Sequence, residues 1–89
     1  MAICKEAAMG TGFEFKCNTM KLTVLAYDGN NHWNVALLQR ESDGAYISVC
    51  NLLPEQNGDY TWGWGNYFPK DMMITAYVDF IRRCELFCH

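Results

Sequence analysis

The sequence predicts an α+β domain: an antiparallel meander of four to five strands with one C-terminal helix packed on one face. Three observations carry this expectation. Alternating or β-branched apolar runs between residues 13 and 68 are separated by turns rich in Gly, Asn and Asp. After Pro69 the apolar spacing lengthens from two to that of a helix. At 89 residues the chain fits one domain, 1–89, and its 51% apolar and 15% aromatic content supplies the dense core so short a chain needs.

Residues 1–12 show little pattern and read as a loose lead-in, ahead of a sheet region over 13–68 and a helix over 69–88. Phe13-Glu14-Phe15-Lys16-Cys17 alternates as a half-buried strand does. Lys21 to Tyr27 is apolar on both faces, which predicts an interior strand. Asp28-Gly29-Asn30-Asn31 is a turn of residues that tolerate positive φ. His32 to Arg40 returns with Trp33, Val35 and Leu37 on one face. Glu41-Ser42-Asp43-Gly44 is the second hairpin signal, and Ala45 to Leu52 follows with Ile47 and Val49 inward and Tyr46 and Ser48 opposite. Residues 54–59 form a polar loop.

The run from Asp59 to Pro69 reads as a single strand with Tyr60, Trp62 and Trp64 on one face and Thr61, Gly63 and Gly65 on the other. Pro69 closes it, and Asp71 stands where a negative charge favours a helix N-terminus. Met73, Tyr77, Phe80, Ile81, Cys84 and Phe87 then define one apolar face, with Met72 and Met73 padding the core. Asp79 precedes Arg83 by four, a helix pair worth about 0.2–0.5 kcal/mol.

Charge narrows the function classes. The formal net charge is −3, and of the seven Lys and Arg only Arg82-Arg83 sit together. Nucleic-acid binding rests on phosphate neutralisation, so this composition disfavours it. No stretch reaches the roughly 18–20 apolar residues of a membrane span, and Met1 to Gly12 lacks the apolar run of a secretory signal. A cytoplasmic location is expected, with Cys4, Cys17, Cys50, Cys84 and Cys88 as free thiols.

Candidate sites are few. Tyr60, Trp62, Trp64 and Tyr67 either fill the core, form the centre of a protein interface, or stack on single-stranded nucleic acid. Cys84, Cys88 and His89, with Cys4 as a further donor, have a zinc-like spacing but lack the second compact ligand pair of structural sites. Cys84 also falls on the apolar stripe, where a cysteine packs as a small hydrophobe. Cys50 and His32 lie at comparable distances from the turn at 41–44, so strand pairing would bring them near each other as nucleophile and base. No nucleophile elbow or oxyanion loop surrounds Cys50, and Gly63-Trp64-Gly65 is not a phosphate loop.

Trp62, Gly65, Tyr67 and Phe68 give the chain a W-x-x-G-x-Y-F pattern, preceded by hairpins and followed by a helix with Ala76 and Phe80, the whole covering roughly residues 20–83. In this it resembles small uncharacterised proteins encoded on phage-like and conjugative elements of gut Firmicutes. The resemblance implies a mobile-element accessory role and carries over no functional residues. Excess apolar content beyond a small core's need, without a catalytic set, leads to a non-enzymatic, cofactor-free module. Its expected partner is another protein or a second copy of itself as a homodimer. A single-stranded nucleic-acid binder and a small cysteine-dependent enzyme are the alternatives.

Overall fold

The computed structural model describes residues 12–17, 19–29, 33–56 and 59–87. Its main sheet has five antiparallel strands in the order β1-β2-β3-β4-β7. These are β1 (Glu14–Cys17), β2 (Met20–Gly29), β3 (Asn34–Arg40), β4 (Tyr46–Cys50) and β7 (Trp64–Phe68). Between β4 and β7 the chain makes a two-stranded ribbon, β5 (Leu53–Pro54) paired with β6 (Tyr60–Thr61). One helix, α1 (Met73–Phe87), follows and packs on the face formed by β3 and β4.

The expected α+β meander with its C-terminal helix is therefore present. What the alternation did not reveal is that both faces of the sheet are buried. Toward the helix, Val35, Leu37, Tyr46 and Cys50 meet Ala76, Phe80 and Cys84. On the reverse, Phe15, Leu22, Val24, Ala36, Leu38, Ile47, Val49 and Leu52 form a second core, against which Phe13, Tyr60 and Trp62 pack. Tyr46 and Ser48, opposite to Ile47 and Val49, are thus buried as well. Strand β2 serves both cores through a register shift between Val24 and Ala26. The extra residue reverses the alternation, so Val24 faces the reverse core while Leu25 and Ala26 turn toward the helix side.

The β3–β4 hairpin is held by its own side chains. Arg40 donates two hydrogen bonds to the Asp43 carboxylate, at 2.9 and 2.7 Å, and the Ala45 amide donates a third at 3.1 Å. Gly44 completes the turn at φ +75°, a left-handed conformation glycine adopts without Cβ strain. The bond from Arg40, and then that from the Ala45 amide, hold the Asp43 carboxyl down at about 2. Its ionised form is thus favoured by folding: the contribution is complete above the ordinary carboxyl range near 4 and is lost as pH falls toward 2. An NMR titration of the Asp43 carboxyl carbon is expected to give a midpoint near 2. A midpoint near 4 would mean that the turn does not keep this chelate in solution.

Two expectations need correction. The run from Asp59 is not one strand, because it breaks at Trp62-Gly63. The Gly63 amide donates to the Cys50 carbonyl at 3.0 Å, while Trp64 is also opposite Cys50. Two residues therefore meet one, as in a β-bulge, and the alternation is reset. Tyr60 and Trp62 consequently lie against the reverse core, whereas Trp64 is on the helix side. The helix stripe differs too. Its buried residues are Ala76, Phe80 and Cys84, with Tyr77 half-buried, whereas Met72, Met73 and Ile81 are exposed. The buried stripe runs in steps of four from Ala76 through Phe80 to Cys84; Ile81 stands about 100° round from Phe80, and Met73 is the first residue of the helix. Helix α1 begins two residues after Asp71 and has no acidic residue in its first turn.

Candidate functional site

Between β7 and the C-terminal half of α1 lies an open groove of about 580 Å³. Gly63, Trp64, Gly65 and Asn66 form one wall, and Asp79, Arg82, Arg83 and Leu86 form the other. The helical residues share a flank because they recur at i, i+3, i+4 and i+7.

A polar network ties the two walls together. The Asn66 amide nitrogen donates to the Asp79 carboxylate at 3.2 Å, and Arg83 Nε pairs with the same oxygen at 3.3 Å. Arg83 Nη1 donates to the Trp64 carbonyl and to Cys50 Sγ, each at 3.1 Å. The i,i+4 pair read from the sequence therefore also anchors an edge strand. Two rungs are visible: Asp79 with Asn66, and Arg83 with Trp64. Four helical residues advance about 6 Å and two strand residues about 6.8 Å, so α1 and β7 run antiparallel almost in step.

Arg83 is consumed by this network. Arg82 lies one residue further round, exposed, and no ion pair to it is found among the described residues. Two arginines against one aspartate make the groove net positive in a chain whose formal charge is −3. Beside it Trp64 is 59% exposed, its ring edge-on to Trp33 at 6.3 Å. That contact backs the indole against the sheet and limits its rotamers.

The four aromatic candidates separate into two pairs. Tyr60 is half-buried, with ring centroids 5.7 Å from Phe13 and 5.0 Å from Phe15. Trp62 covers Gly65 so closely that a Cβ there would lie 2.9 Å from the indole nitrogen. Trp64 and Tyr67 are the exposed pair, Tyr67 at 55%, and they project from opposite faces of β7. Exposed apolar residues continue over α1: Ile74 (76%), Val78 and Ile81 on its outer side, and Leu86 (70%) at the groove.

The cysteine sites do not assemble within what is described. Cys84 is buried in the helix-side core, and Cys4, Cys88 and His89 lie outside the described residues. Among the described residues no group of three or more His, Cys, Asp and Glu is placed to hold a metal. Cys50 is fully buried and its sulfur accepts from Arg83, while His32 lies outside the described residues. Burial and the nearby Asp59 and Glu55 carboxylates push the Cys17 thiol up, away from the reactive thiolate. No described helix is long and apolar enough to cross a membrane.

Sequence reasoning did not bring Asn66, Asp79, Arg82 and Leu86 to one place. Two signals for it were present, the adjacent Arg82-Arg83 and the Asp79–Arg83 spacing. Comparison with protein-family models, curated proteins and solved structures gives no match.

Proposed function

We propose that this domain is a non-enzymatic protein-interaction module that docks through the surface where β7 meets α1. The observation that carries the reading is the exposure of two large apolar side chains on facing walls of the groove, Trp64 from β7 and Leu86 from α1. Aromatic residues in such settings are the usual energetic centres of protein interfaces. The enclosure of Cys50 supports the non-enzymatic part, since a nucleophile must meet its substrate. A stacking platform for single-stranded nucleic acid is less well supported, because Tyr60 and Trp62 are packed inward and the exposed rings face opposite ways. A cytoplasmic accessory protein of a mobile element, binding an element or host protein or itself, is the specific form of this proposal.

The test is native mass spectrometry of untagged protein together with cross-linking in cells, for the natural sequence and for Trp64→Ser/Leu86→Ser. Both side chains are largely exposed, so the double variant is expected to stay folded, with Leu86→Ser costing less than about 0.5 kcal/mol and Trp64→Ser about 0.5–1.5 kcal/mol for the lost contact with Trp33. The expected result is a defined complex that the variant loses. A monomer by both measurements, with no cross-linked partner, would overturn the proposal.

A further inference from the structure

Resting on the reading above, we infer that the groove receives an extended segment of a partner protein, added alongside β7 as a sixth strand, with a carboxylate side chain set against Arg82. Strand β7 is an edge of the five-stranded sheet among the described residues, and an edge strand turns half of its main-chain groups away from its neighbour. Addition of a strand satisfies those groups, and pockets for alternate side chains supply selectivity. With the Trp64 carbonyl already accepting from Arg83, the four residues 65–68 offer about 14 Å of edge.

Charge selects the occupant. Asp79 and Arg83 neutralise each other, so the cation that meets an incoming chain is Arg82. A second copy is the poorer fit: pairing β7 with itself across a two-fold axis brings two net-positive grooves and both Arg82 side chains together. Like charges so juxtaposed penalise that pairing. An acidic segment meets the same surface with opposite sign.

Spacing selects the pattern. Arg82 and Leu86 are one helical step of four apart, about 6 Å along α1. Residues i and i+2 of an added strand share a face at about 6.8 Å. The Asp79–Asn66 and Arg83–Trp64 rungs already match helix to strand in this ratio. The segment recognised therefore carries an acidic residue with an apolar residue two positions away, the first for Arg82 and the second for Leu86 and Trp64.

The experiment pans a displayed random twelve-residue peptide library against the full chain and follows the winning peptide by hydrogen exchange. Expected are an Asp or Glu two positions from an apolar residue and slower exchange of amides in Gly65 to Phe68. Arg82→Glu should weaken binding at least tenfold and favour the peptide's acid-to-lysine counterpart. Binders without the acid, binders indifferent to Arg82→Glu, or protection confined to the outer side of α1 around Ile74, Val78 and Ile81 would overturn this inference and leave the interaction module standing. A dimer in native mass spectrometry that blocks peptide capture and is lost in Trp64→Ser would replace the segment by a second copy. No binder, no dimer and no cross-linked partner would overturn both.

Discussion

Asn34→Ala is expected to lower the unfolding free energy by about 2–5 kcal/mol, since it strands two buried main-chain groups at once. The Asn34 side chain donates to the Leu52 carbonyl at 3.1 Å and accepts from the Leu52 amide at 2.8 Å. Its own carbonyl accepts from Asn51, which sits in the left-handed region at φ 60°. These bonds fix the corner at which the chain leaves β4 and crosses toward the reverse face. Leu52, the residue so held, is fully buried in the reverse core. A domain of this length has roughly 4–13 kcal/mol of stability, so the loss is a large share of it. Urea unfolding checks the value. A change below about 1 kcal/mol for Asn34→Ala would mean that water replaces both bonds and that the corner is not buried in solution.

Phe80→Ala is expected to cost about 3–5 kcal/mol, whereas Ile81→Ala should stay within about 0.5 kcal/mol. Among the described side chains, Phe80 is the largest that α1 buries in the helix-side core, between Ala76 and Cys84. Ile81, its neighbour in sequence, is 53% exposed. Paired denaturation curves read the contrast, and equal losses would mean that the helix is rotated relative to the arrangement described. A lower m-value for Phe80→Ala would indicate that the helix is already detached in the folded ensemble.

The pair also marks where the sequence was readable and where it was not. Strands β1 to β4 were legible because their alternating or doubly apolar runs are bounded by polar turn residues, most clearly at Asp43-Gly44. The helix was legible as a helix, but not its orientation. Apolar residues occur on several of its sides, and size favoured Met73 and Ile81 over Ala76, whereas the buried stripe follows the steps of four through Phe80. Strands β5 and β6 have two residues each, too short for any period to register. The bulge at Gly63-Trp64 was invisible for a related reason: alternation counts residues, and a residue that is skipped in the pairing reverses every side chain after it. The groove depends on that reversal. Without it, Trp64 would join Tyr60 and Trp62 on the reverse core, and the wall facing Arg82 would lack its aromatic residue.

The order of the strands has a kinetic consequence. From β1 to β4 each strand lies beside its predecessor in the chain, so successive short loops close at small entropic cost and hairpins can form in sequence. Strand β7 is the exception, because it pairs with β4 only after the chain has crossed the reverse face through β5 and β6. Among the described residues it is paired on one side, as β1 is, and much of its surface is open to solvent. Elements of this kind are where domains open locally. The strand that forms a wall of the groove is thus the one whose pairing closes the longest connection in the sheet, and a chain bound there would extend the sheet beyond it.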